Sequence, residues 1–483
     1  MKKITITVLS IFLWGNIIHA QRTWSLEKCI RHVKQNNTSN MRRANLEVEK
    51  SKKLQERATA QKLPNLGFGT NLGLNTGRVI DPSTNDFLTS TLTYNNLSLE
   101  GNYTLFDGGQ NNKRIAQSKL DIQAAEKDME QLSQNLTLQV VRAYLQILMA
   151  EEQLTNAENN LKQTETWFRQ TQNLVKTGLR SNSDLREVEI QKSIDEQNII
   201  TAQNLIDRSY IQLKQVLEID PSLSFKIEKP KELPEPDEKI ENLDFKKIYA
   251  KALKTQPGIE AGEFRLQSLK LEEDIAEATK KPSVSLFSGL YTNYSSGISD
   301  FTRPDTSGSF EIATPAEVIL PGETEPSTLF FVSDSGIDYP AKNYFKQLGE
   351  NVGFGVGVNV YVPIFDRKSS QINSELAKIN YLQVQEDNLL FQQQLRTDIQ
   401  NAIINVQAAS ETLKGAEKTF QLLEKSLVFT KNKLDLGNIN TFQYTTQLNE
   451  KDRAQIELVI AKYDFLMKKM IVEFYEGKKL SLE

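Results

Sequence analysis

The chain has 483 residues, 25% of them charged, and a formal net charge of −4 at pH 7, so it offers nucleic acid no basic surface. Its single cysteine, Cys29, excludes a disulfide framework, and its two histidines, His19 and His32, are too few for an imidazole metal site or for a Ser/His/Asp triad. No Gly-rich phosphate loop is present, because Gly67, Gly69 and Gly73 alternate in a strand-like segment that leads into no helix. The chain is therefore read as having no enzymatic activity, no cofactor and no metal.

Residues 1–20 carry Lys2 and Lys3, an apolar run from Ile4 to Trp14 and a small-residue end at Ala20. This is expected to be a secretory signal peptide, because a run of about 11 apolar residues is too short to cross a bilayer as a helix, which takes about 20. No other stretch reaches that length. Cys29 follows Glu27 and Lys28 well beyond the apolar run, so it is read as an ordinary helical cysteine and not a lipid anchor.

A helical pattern follows over 25–62, with Ser25 as N-cap and Pro64 as terminator. Residues 66–74 then alternate, with Leu66, Phe68, Leu72 and Leu74 on one face and Gly67, Gly69, Asn71 and Gly73 on the other. Residues 96–105 also alternate, with Leu97, Leu99, Tyr103 and Leu105 set against Ser98, Glu100, Asn102 and Thr104. Each is about ten residues, the length a tilted strand needs to span a membrane. Asp107 caps a helix predicted to run to about residue 176, Gly178 interrupts it, and helix resumes over 182–217.

A Pro/Glu/Lys-rich stretch, 220–241, reads as a loose connector, after which the plan repeats. The second copy comprises helix 244–280, Pro282, strand 284–294, a long loop 295–351, strand 352–362, helix 366–436, Gly437 and a helix to residue 475. The expected organisation is thus a signal peptide (1–20), a first repeat (21–219), a connector (220–243), a second repeat (244–477) and a tail (478–483).

The duplication shows in the landmarks. Phe106-Asp107 precedes Gly178 by about 72 residues, and Phe365-Asp366 precedes Gly437 by the same interval. Between them, Leu136, Val140, Ala143, Ile147, Ala150, Leu154, Ala157 and Leu161 match Leu395, Ile399, Ala402, Val406, Ala409, Leu413, Ala416 and Phe420 without a gap. Steps of four and three give a period near 3.5, the signature of a coiled coil, and the alanines permit close approach. The long helix of each copy should measure about 100 Å and the shorter ones about 55 Å, so two short helices stack beside one long one.

The seam alone fits a coiled-coil stalk or adhesin of the cell envelope equally well. The strands decide between the readings, since a soluble coiled coil has no use for four strands with one apolar and one Gly/Asn/Ser-rich face. In a membrane such strands face lipid and water in alternation, provided that no edge stays open. Four strands cannot close a barrel, so the chain must oligomerise, and a trimer gives about 12 strands.

The order of exported chain, duplicated helix–strand–strand–helix–turn–helix unit, proline before each first strand, Phe106-Asp107 and Pro363-Ile364-Phe365-Asp366 at the strand-to-helix junctions, and a glycine turn in each half resembles the TolC-like outer-membrane efflux proteins. The resemblance covers essentially the whole mature chain. It implies an α+β membrane protein in which a homotrimer closes one transmembrane β-barrel, continuous with a helical tunnel through the periplasm. It also implies a passive exit duct of a tripartite efflux or type I secretion system, with a periplasmic adaptor protein, an inner-membrane transporter and outer-membrane lipid as partners and no nucleic acid.

The family's entrance residues lie just past the tip glycines. An acidic residue stands six positions after each glycine in many members, with another nine positions after the second. Here the positions after Gly178 hold Asp184 and Glu187, while those after Gly437 hold Gln443 and Thr446, so a weaker acidic ring is expected. For Asp184 the alternative is a carboxylate of the first helical turn, stabilised by the helix dipole. The 295–351 loop holds Pro304, Pro315, Pro321, Pro326 and Pro340 and is mostly acidic, with Asp300, Asp305, Glu311, Glu317, Glu323, Glu325, Asp334 and Asp338. In the barrel reading it lies outside the cell, as a cover over the pore, a contact for other surface components or a plain surface loop.

Overall fold

The computed structural model describes residues 23–80, 87–223, 225–230, 243–304, 316–318, 327–329, 339–478 and 480. The expected signal peptide, residues 231–242 of the connector, and Asp305, Glu311, Pro315, Pro321, Glu323, Glu325, Pro326, Asp334 and Asp338 of the long loop lie outside them. The chain divides into two compact units, one made of residues up to 54, 117–270 and 378 onward, the other of 55–116 and 271–377.

The first unit is helical. A short strand β1 (Thr23–Trp24) leads into α1 (Leu26–His32), a five-residue π-helical turn (Val33–Asn37) and α2 (Ser39–Ala60). The single helix expected over 25–62 is therefore interrupted. Thr38 adopts an extended conformation, and its hydroxyl accepts from the Met41 N–H, so a polar Asn-Asn-Thr run ends one helix and caps the next. Ser25 caps α1 as expected, accepting from Lys28 N at 3.3 Å.

The long helix α3 (Gln110–Lys176) has 67 residues and is followed by α4 (Asn182–Leu217). The connector is not wholly loose, because β4 (Lys226–Ile227) pairs in parallel with β1. The buried Tyr144 fixes this pair, its hydroxyl lying 2.5 Å from the Glu228 carbonyl oxygen and 3.2 Å from that of Trp24. The second copy opens with α5 (Phe245–Thr255) and α6 (Pro257–Ala278), where a single helix over 244–280 is expected. Pro257 accounts for the break, because it forces Gln256 into an extended conformation with ψ 118°.

The heptad seam forms the core of each copy. In α3, Val140, Ala143, Tyr144, Ile147 and Leu148 are buried with Cys29, Leu213 and Leu217. In α8 (Ser369–Asp435), Ile399, Ala402, Val406, Ala409 and Leu413 are buried with Ile248, Phe465 and Val472, the last two from α9 (Thr441–Tyr475). Burial pushes the Cys29 thiol up to about 12, which makes it an inert apolar filler.

The second unit holds a four-stranded antiparallel sheet in the order β2 (Asn65–Ile80), β3 (Phe87–Phe106), β5 (Ser283–Ser295), β8 (Gly353–Tyr361). Two further short strands, β6 (Ala316–Val318) and β7 (Ser327–Leu329), pair with each other, and α7 (Tyr344–Glu350) precedes β8. The strands β2 and β3 are longer than the sequence pattern indicates, running through the Thr/Asn-rich segments flanking 81–86. Those segments carry no apolar alternation to reveal them. Cross-strand bonds hold them instead, including Thr76 and Thr91 hydroxyls 3.2 Å apart.

The register assigns the faces. Phe68 pairs with Leu99, Leu99 with Leu290, and Leu290 with Phe354, so one face carries an apolar row across all four strands. The other face carries Gly, Asn and Ser together with aromatic rings opposite glycines. Tyr94 pairs with Gly73, Phe287 with Gly357 and Tyr291 with Gly353, and in each case the ring occupies the space that a Cβ on the glycine would enter. Among the described residues, β2 and β8 have no strand on their outer edges.

Candidate functional site: the paired helical turns and the strand-to-helix junctions

Gly178 and Gly437 adopt φ of +76° and +73°, and each closes a helix in the same way. Gly178 N donates to Val175 O and Leu179 N to Leu174 O, while Gly437 N donates to Leu434 O and Asn438 N to Lys433 O. These are Schellman closures, which glycine favours because other residues are strained at positive φ. Three residues on, each next helix opens with a capping box, Ser181 with Asp184 and Asn440 with Gln443. The two sequence-equivalent positions thus have the same structural task.

Asp184 does more than cap. Its Oδ2 accepts from Ser181 N at 3.1 Å and from Ser181 Oγ at 2.7 Å, and its Oδ1 accepts from the buried Thr441 hydroxyl at the start of α9. Burial alone would raise its pKa, but the hydrogen bonds from Thr441 and Ser181 and the Arg180 charge prevail and hold the carboxyl below the usual range. Arg180 spans the two turns: Nη2 donates to Leu434 O at 2.7 Å, Nη1 to Thr441 Oγ1 at 3.4 Å, and Nη1 lies 4.0 Å from Asp184 Oδ1. Trp167 and Tyr444 meet edge-on nearby at 4.8 Å. Glu187 is half-buried, while Gln443 and Thr446 are exposed, with the Thr446 hydroxyl donating to Phe442 O. The sequence missed Arg180 and Thr441, because nothing in either turn marks them as partners 261 positions apart.

The junctions repeat as well. Phe106 ends β3, and Asp107 accepts from Gly109 N at 3.0 Å and Asn111 N at 2.8 Å, so it caps α3. Asp366 accepts from Ser370 N at 2.8 Å and from its hydroxyl. Between Asp and helix the first junction has Gly108 and Gly109 at φ +69° and +88°, whereas the second has Arg367 and Lys368 at +58° and +63°. The turn is the same, but left-handed non-glycine residues cost free energy. Arg367→Gly with Lys368→Gly is therefore expected to stabilise the fold by about 0.5–1 kcal/mol per site, net of the entropy glycine adds to the unfolded chain, read as a raised thermal midpoint. Pro363 precedes the turn, and Phe365 is 81% exposed.

Residues 30–217 match the model of the outer membrane efflux protein family. No curated protein sequence matches the chain. Among solved structures, the fold is similar to CusC, described for its folding and transmembrane channel formation, at a TM-score of 0.70 and 14% identity over 94% of this chain and 92% of that one. It is similar to the outer membrane protein VceC of Vibrio cholerae at 0.69 and 14%, over 94% and 97%. The Campylobacter jejuni CmeC outer membrane channel gives 0.68 and 15%, over 94% and 85%. The fold is that of these outer-membrane channels. No helix among the described residues is long and apolar enough to cross a membrane.

The helical unit also has a polar seam that the sequence pattern hides. Gln191 and Asp195, one helical turn apart on α4, are buried and joined by a 3.0 Å hydrogen bond, but Gln191 Oε1 and Asp195 Oδ2 have no hydrogen-bond partner among the described residues. Facing them, the buried Lys451 of α9 pairs with Asp452 at 3.1 Å and reaches Gln455 and Asn160. Burial raises the Asp195 carboxyl against the lowering effect of Thr164, Gln191 and Lys451, and burial raises Asp452 too. A raised carboxyl binds its proton more tightly in the folded state, so its contribution is lost as pH rises from the ordinary carboxylate range through the folded value. Asp195→Asn should accordingly gain thermal stability relative to the parent protein as pH is raised from below the ordinary carboxylate range to neutrality, and a gain independent of pH over that whole range would contradict the assignment.

Proposed function

We propose that three copies of this channel close one barrel of twelve strands and that the assembly is the passive exit duct of a tripartite efflux or type I secretion system. The observation that carries this reading is the sheet, with its apolar row exposed on one face, glycines and amides on the other, and both edge strands unpaired among the described residues. A membrane tolerates such edges only when another chain pairs with them. The halves 21–219 and 244–477 would each supply two strands and one tip turn. An exposed stripe on α8, with Ile372, Leu376, Ile379 and Leu390 at near-heptad spacing, supports helix packing against a neighbouring copy. Isolation of heat-modifiable trimers from the outer-membrane fraction tests the assembly, and a monomer there would overturn it.

At the periplasmic end, the two glycine turns are the surface that a periplasmic adaptor protein would grip, opposite an inner-membrane transporter. Asp184 is occupied by its cap and by Thr441, and Gln443 and Thr446 carry no charge, which supports weak cation selectivity at the entrance. The Arg180 bridge holds the turns of α3/α4 and α8/α9 together in one chain. Arg180→Ala should remove about 1.5–3 kcal/mol of this tie, the worth of a charge-assisted hydrogen bond, and raise single-channel conductance in planar bilayers. An unchanged conductance would mean that the bridge does not hold the entrance.

A further inference from the structure

The base of the long loop packs on the apolar face of the sheet. Helix α7 is capped by Asn343, whose Oδ1 accepts from Phe345 N and Lys346 N, and is clamped by the buried Gln347. Gln347 Nε2 donates to Ser295 O and Lys342 O, and its Oε1 accepts from Ser295 N. The face it covers is fixed by three contacts. The Tyr344 hydroxyl donates to Asn95 Oδ1 at 2.8 Å, the Thr292 hydroxyl donates to Leu348 O at 2.7 Å, and the Tyr344 ring meets Tyr294 edge-on at 4.9 Å.

Asn95, Thr292 and Tyr294 share one face of the sheet. Asn95 pairs with Leu72 and with Tyr294, and Thr292 pairs with Leu97. By the period of two along each strand this is the face of Leu99, Leu290 and Phe354, and not the face of the glycines. The helix therefore lies against the inner strands β3 and β5 on the side that meets lipid. That position is away from the edges β2 and β8, where a second copy would pair.

The chemistry of α7 suits the same surroundings. Phe345 is 79% exposed, and the nearby charges are neutralised in place, Lys346 by Asp300 at 3.2 Å and Lys342 by Glu350. An exposed aromatic ring beside balanced charges at the end of a membrane-spanning strand is the composition of an interfacial belt. We propose that α7 is an outer-leaflet anchor, docked on the outside of the barrel wall with Phe345 in the lipid interface, so that the base of this loop stands beside the pore and not over it. This rests on the barrel reading above.

The test uses the full channel purified as its assembly and reconstituted in phosphatidylcholine vesicles with and without brominated acyl chains. Phe345→Trp introduces a reporter whose only other described tryptophans, Trp24 and Trp167, lie in the helical unit. Its emission is expected to be quenched by brominated lipid and to resist aqueous acrylamide. Val356→Trp, on the apolar row of β8, is the control. If Val356→Trp is quenched by brominated lipid but Phe345→Trp is not, the anchor fails and the barrel stands, whether the ring proves to face water or a second copy of the chain. If neither is quenched, the barrel reading itself fails.

Discussion

Val356→Arg should block membrane assembly of the channel, at about 2–4 kcal/mol per subunit for a charge near mid-bilayer, while Gly355→Arg should assemble. The two positions are adjacent in β8 and differ only in face. Val356 pairs with Ser288 on the apolar face and is exposed, and Gly355 pairs with Gly289 on the opposite face with open space where its Cβ would stand. In the proposed barrel, an arginine at 355 would extend into water in the lumen, whereas one at 356 would be forced into hydrocarbon. The fraction of heat-modifiable trimer in the outer membrane measures both, and equal losses would reverse the assignment of faces.

Ile147→Ala is the second large effect, with a cost of about 2–5 kcal/mol. Ile147 is fully buried in α3 between the alanines 143 and 150, packed with the core that includes Tyr144, Leu213 and Leu217. The flanking alanines of its own seam are too short to move into the space, so they do not fill the volume of the deleted atoms. Its repeat equivalent is Val406, buried in the second core, where Val406→Ala removes fewer atoms and should cost less. Denaturant midpoints of the solubilised channel give both values. A larger loss at Val406 would show that the two seams are not packed alike.

Much of the architecture was legible in the chain because it rests on periodicity. A seam at steps of four and three dictates which face of α3 and α8 is buried, whatever lies opposite, and strict alternation does the same for β8. The glycine turns were legible because positive φ selects residue type locally. The structure departs from the pattern where a single residue breaks a period or where no period exists. Pro257 breaks the helix expected over 244–280, Thr38 breaks the one over 25–62, and the Thr/Asn-rich ends of β2 and β3 are held by cross-strand bonds that no single strand announces.

By itself, then, the sequence determined the duplicated plan, the buried seams, the two-faced strands and the turns, all of which follow from interactions within a few residues or from a repeating period. Only the tertiary structure decided that Asp184 is consumed by its own cap and by Thr441, that Arg180 bonds a carbonyl 254 positions away in the other turn, and that the loop helix lies on the apolar side of the sheet. Each depends on a side chain meeting a group far away in the chain, and a hydrogen bond of that kind leaves no period in the sequence from which to read it.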